Sequence, residues 1–186
     1  MSAKKLAVVF PGVGYHVDKP LLYYSRRLAK EEGYEVVEVS YDFPHKPSEI
    51  KDNAEKMREA FDIAASQALE QLSDVDFEDF DKVLFIGKSI GTAIGAYCDE
   101  KYGVNAFHIV LTPVPQTFDF LNGKEGVVFH GLSDPWCEND IVEDKCVELG
   151  LELIEVKKAN HSLETGNAIK DVKIIKKYLK RVRELF

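Results

Sequence analysis

The sequence predicts an α/β fold: a three-layer sandwich with a mostly parallel sheet of about six strands and helices on both faces. Two observations predict the architecture. Short apolar runs alternate with longer amphipathic stretches along all 186 residues, the pattern of repeated βα units. Most of the apolar runs close on turn formers, such as Pro11-Gly12, Gly87, Pro113 and Gly131, as strands feeding loops do. The length sets the scale. A chain of this size is expected to form one domain, residues 1–186, and to bury roughly 70% of its unfolded surface.

The elements follow in order. Leu6–Phe10 is β-rich and reads as a strand. Asp18–Glu32 reads as a helix stopped by Gly33. Tyr34–Tyr41 alternates valine and glutamate, a strand with one wet face. In Ser48–Leu72, Ile50, Ala54, Met57, Phe61, Ala64, Ala65, Ala68 and Leu72 recur at helical spacing, which predicts one long helix. Ser73–Asp81 reads as a solvated loop. Val83–Ile86 is a fully apolar strand, and Ser89–Lys101 a helix of small residues. Phe107–Leu111 and Val127–His130 are strands. Asp140–Leu149 is a helix stopped by Gly150, Leu151–Val156 the last strand and Ala168–Leu185 the closing helix. Ligands of open parallel sheets bind beyond the carboxyl ends of the strands. Those ends are 11–16, 87–91, 112–114, 131–136 and 158–161.

Composition excludes several function classes. The net charge is 24 − 32 = −8, which disfavours nucleic acid and anionic membranes as partners. No apolar run approaches the roughly 18 residues of a membrane span. Leu6–Phe10, which follows Met1–Lys5, is too short for a signal-peptide core. Cys98, Cys137 and Cys146 are odd in number and form no CxxC, so they read as reduced thiols of a cytoplasmic protein. No histidine or cysteine cluster has metal-ligand spacing, and no cofactor is expected. Gly87-Lys88-Ser89 lacks the earlier glycine of a phosphate-binding loop, because position 82 is Lys82. Gly12-Val-Gly14-Tyr-His-Val17 lacks the third glycine of a dinucleotide fingerprint.

Gly87-Lys88-Ser89-Ile90-Gly91 is a G-x-S-x-G pentapeptide between an apolar strand and a helix, the context in which such a serine is a nucleophile. A plain helix cap is the competing explanation. A nucleophilic serine needs a base and an acid, in the order serine, acid, histidine. Of the five histidines, only His161 lies far enough along the chain to fit. Asp134 follows the fifth strand and is the candidate acid, with Glu138, Asp140 and Asp119 as rivals. Backbone N–H groups of Ile90 and of Val13 or Gly14 are candidates to hold a developing oxyanion.

With these motifs in view, the chain resembles the α/β-hydrolase superfamily, and within it the small lidless members related to dienelactone hydrolase and short serine esterases. The resemblance runs from Leu6 through the final helix. It is carried by Phe10-Pro-Gly-Val-Gly14, Gly87-Lys-Ser-Ile-Gly91, Gly131-Leu-Ser-Asp134 and Asn160-His-Ser-Leu-Glu164. It implies a serine hydrolase acting on a small carboxylic ester or thioester through an acyl-enzyme. A peptidase or amidase, and a binding protein that has lost turnover, are the alternatives. Dienelactone hydrolase carries a cysteine nucleophile where this chain has Ser89, so its substrate does not transfer. Only Thr112–Glu125 separates the fourth and fifth strands, too little for a lid domain. The site is therefore expected to be open, with Tyr15, His16, Val114, Phe118 and Trp136 as candidate lining residues. The Lys88 stem is expected to point to the surface.

Overall fold

The computed structural model describes residues 3–51 and 53–186. Met1, Ser2 and Asp52, the last inside the predicted long helix, lie outside the described residues. The sheet has six strands: β1 Lys5–Phe10, β2 Glu35–Glu38, β3 Lys82–Lys88, β4 Phe107–Leu111, β5 Glu125–Gly131 and β6 Glu152–Val156. Their spatial order is β2-β1-β3-β4-β5-β6, and every neighbouring pair is parallel. The predicted second strand is trimmed to four residues. Its flanks, Tyr34 and 39–41, fall outside the strand, although the Val39 amide still donates to the Val9 carbonyl at 3.0 Å.

Side-chain alternation assigns the two faces. Ala7, Val9, Leu84, Ile86, Ile109, Val127 and Phe129 form one. Against it pack Leu21 and Leu22 of α1 (Pro20–Glu31), and Tyr178 and Val182 of α6 (Ala168–Arg183). Leu6, Val8, Phe10 and Phe85 form the other, covered by α3 (Ala54–Leu72) and α4 (Ile90–Tyr102). Val110 and Val128 on that same side meet α5 (Asn139–Leu149) through Val142 and Cys146. Strands buried on both faces read as apolar runs, which explains β1 and β3. The edge strands β2 and β6 carry Glu35, Glu38, Glu152 and Glu155, charges that discourage pairing with another chain.

The predicted long helix is two pieces. A single turn, α2 (Pro47–Ile50), precedes α3, whose N-cap Asn53 accepts a hydrogen bond from the Lys56 amide at 3.0 Å. Pro47 at the first helical position and Asn53 at a cap are both start signals, and the break redirects the chain across the carboxyl end of the sheet. Among the described residues no helix is long and apolar enough to cross a membrane.

Candidate active site

Ser89 stands at the junction of β3 and α4 with φ 57° and ψ −129°, a conformation that costs about 1–3 kcal/mol in a non-glycine residue. The surroundings hold it there. Its amide donates to the Leu111 carbonyl at 3.0 Å, and its carbonyl accepts from the Thr92 amide at 2.9 Å. A Cβ on Gly91 would lie 2.3 Å from the carbonyl oxygens of Phe10 and Pro11, so only glycine lets α4 approach β1 this closely. The tight turn leaves the Ser89 hydroxyl projecting beyond the sheet.

His161 is carried by the loop between β6 and α6. The Asn160 side chain shapes that loop by accepting from the amides of Ser162 at 2.8 Å and Glu164 at 3.1 Å. Thr112, at the end of β4, donates its hydroxyl to the His161 carbonyl at 2.9 Å. Asp134 sits on the turn after β5, and the Ser133 amide donates to the Ala159 carbonyl at 2.8 Å, joining the two loops.

The three side chains meet. His161 Nδ1 is 2.7 Å from Asp134 Oδ2, and His161 Nε2 is 2.8 Å from Ser89 Oγ. A carboxylate only accepts, so Nδ1 carries the proton, and neutral imidazole then accepts from the serine hydroxyl at Nε2. Burial, then the charge of Lys88, pull the His161 pKa down to about 4 against the hydrogen bond and charge of Asp134. The ring is therefore neutral at pH 7. The other oxygen of Asp134 accepts from the Trp136 amide at 2.9 Å, and the Trp136 indole stacks on His161 at 5.2 Å between centroids. The rival acids Asp119, Glu138 and Asp140 are all exposed.

A cleft of about 220 Å³ opens at Ser89. Of the predicted lining residues, Tyr15 and Trp136 border it, as do Val13, Gly14 and Ile90. His16 does not: it is exposed, with Nδ1 3.9 Å from Asp18. Phe118 is buried in the core near α5, and Val114 borders an adjoining groove between α3 and the 112–125 segment. The far wall is one that sequence reasoning missed. Pro47, Ile50 and Met57, from the broken helix, face the serine across the cleft. The Pro47 and Asn53 start signals pointed to a change of direction there.

Cys137 is buried, and burial pushes its thiol up to about 12. Cys98 and Cys146 are likewise buried, raised to about 12 and about 11 by the same cause, so none of the three supplies a thiolate at neutral pH. Lys88 points inward. It is 0% exposed, because strand parity turns it to the same face as Ile86, where Tyr15 folds over it. Its Nζ lies 4.9 Å from the Tyr15 ring centre and has no hydrogen-bond partner among the described residues. Burial lowers its pKa to about 7, with Asp134 opposing.

No protein-family model and no curated protein matches this chain. Solved structures do. Est1E from Butyrivibrio proteoclasticus, determined with bound ferulic acid, superimposes with a TM-score of 0.70 at 11% identity, over 98% of this chain and 88% of that one. An α/β serine hydrolase without a lid from Xanthomonas campestris gives 0.56 at 14% identity, over 98% and 82%. An α/β serine hydrolase homologue from Coxiella burnetii gives 0.59 at 13%, over 97% and 85%. The fold is that of the α/β-hydrolases.

Proposed function

We propose that this chain is a serine hydrolase that cleaves a small carboxylic ester or thioester through an acyl-enzyme on Ser89. The observation that carries the reading is the unbroken relay Ser89–His161–Asp134, at 2.8 and 2.7 Å, ending in a cleft. A helix-capping serine needs neither partner.

In this reading Ser89 Oγ attacks the substrate carbonyl as its proton passes to His161 Nε2. Asp134 keeps the imidazole oriented and stabilises the imidazolium. The proton then goes to the leaving alcohol or thiol, and water, activated by the same histidine, releases the acid. The oxyanion meets the Ile90 N–H, which has no intrahelical acceptor because it opens α4. The second donor is Val13. Reciprocal bonds between Gly12 and Tyr15 put Val13 and Gly14 at a turn tip. A Cβ on Gly12 would lie 3.0 Å from the Ser89 Cβ, so this turn presses on the nucleophile, while Gly14 packs toward Pro47.

Substrate size follows from the cleft. At about 220 Å³ it falls below the usual range for drug-sized ligands, and Ile50, Met57 and Trp136 make its wall apolar. Each methylene buried there is worth roughly 0.8 kcal/mol. For p-nitrophenyl esters we expect kcat/KM to rise from acetyl to about butyryl and then flatten. A serine-directed fluorophosphonate should add once per chain by intact mass, on Ser89, and not at all in Ser89→Ala. A wild-type protein that takes up no phosphonate would be a binding protein on this scaffold, and a steady rise to decanoyl esters would refute the small acyl site.

A further inference from the structure

We propose that Lys88 is a positioning residue for the hydrolytic reaction: its buried amine, seated on Tyr15 and within electrostatic reach of Asp134 and His161, sets how strongly His161 draws the proton from Ser89. The proposal rests on reading Ser89, His161 and Asp134 as the catalytic group.

The geometry is unusual for a lysine. A stem that merely fills space ends with its ammonium in water, whereas this one ends inside, with no acceptor among the described residues and only the face of an aromatic ring beside it. The neighbouring carboxylate does not bond to it. Asp134 gives one oxygen to His161 and the other to the Trp136 amide. The amine therefore acts through space, and its charge state is felt by the histidine.

The ionisable groups around Lys88 come from several elements. Tyr15 lies on the loop after β1, Asp134 after β5 and His161 after β6. His130 of β5 bears on His161, while Glu164 and Tyr178 couple to Tyr15. Of the groups acting on His161, Asp134 favours the imidazolium, whereas Lys88 and His130 oppose it. Proton transfer from Ser89 creates an imidazolium. Next to an ammonium that step is resisted, and next to a neutral amine it is not. As Lys88 gives its proton to solvent, with a pKa of about 7, His161 becomes the stronger base.

The test is the titration of the His161 ring nitrogens by NMR in the wild type and in Lys88→Met, beside kcat/KM over about pH 5 to 9. In the wild type His161 should report two inflections, its own and a second in the neutral range. Lys88→Met should keep one, moved up toward the ordinary histidine value. The wild-type kcat/KM should climb about threefold or more through neutrality, and the variant should be flat there. Identical His161 titrations in the two proteins overturn the proposal. So does a second inflection that survives in Lys88→Met, since it would belong to another group. Lys88→Gln repeats the comparison with a polar side chain, and a wild type showing one inflection alone also overturns it. Because the NMR arm needs no turnover, a protein that takes up no phosphonate but shows the coupling separates failure of the hydrolase reading from failure of this one.

Discussion

The sheet carries an aspartate–histidine pair at each end, and both pairs are 2.7 Å apart. At the end where β4 begins, Asp99 of α4 is wholly buried and accepts from four donors: the Asn105 and Ala106 amides, His108 and Lys124 Nζ, at 2.7 to 3.1 Å. At the opposite end Asp134 accepts from two, and the nearby lysine has no hydrogen-bond partner among the described residues. Burial alone would raise the Asp99 carboxyl, but the hydrogen bonds and charges of His108 and Lys124 outweigh it and hold it below the usual range. The pairing is the same, but the saturation differs. A fully bonded carboxylate fixes the chain, tying α4 to β4 and to the segment entering β5. An under-bonded one beside a charge without an acceptor leaves an imidazole free to change its proton.

The largest effects that separate the two ends are on rate. Ser89→Ala, His161→Ala and Asp134→Asn should each lower kcat by about 10³-fold or more, non-additively, with melting temperatures near wild type. Asp99→Asn should leave kcat unchanged. If its kcat fell as far as that of Asp134→Asn, the division between the ends would be lost. Stability should show the reverse order. Asp99→Ala takes the acceptor from His108, Lys124 and two amides and should cost about 3–5 kcal/mol in urea unfolding, while the protein that remains folded turns over normally. A loss under 1 kcal/mol would mean that the buried network contributes little.

The last effect has the opposite sign. The Lys88 pKa is depressed on folding from 10.5 to about 7, so between those values the unfolded chain binds a proton that the native state does not. Stability therefore rises with pH across that window, and the full penalty applies below it. Lys88→Met should stabilise the protein below pH 7, a gain that shrinks toward pH 10. An equal gain at both ends of the window would locate the effect in packing instead of charge.

The serine pentapeptide was legible because its signal is local: an apolar strand, two glycines and a helix in one stretch of chain. The order serine, acid, histidine added Asp134 and His161 without any structure. The inward turn of Lys88 was half legible. Strand alternation places it with Leu84 and Ile86, but only the fold of 11–16 puts Tyr15 over it, and loop paths leave no periodic trace. His16 and Phe118 failed as lining candidates for a related reason. Residue type says that a side chain is large or polar, while the cleft is assembled from whichever loops converge. The break before α3 was written in Pro47 and Asn53, and the continuous apolar spacing of 50–72 hid it.

That break separates two kinds of responsibility within the molecule. Ser89, Asp134 and His161 follow β3, β5 and β6, and backbone contacts join their loops. Pro47, Ile50 and Met57 come from either side of the helix break and line the cleft from a separate stretch of chain. Substitutions at those three positions would redraw the mouth of the cleft while Ser89, Asp134 and His161 stay where they are.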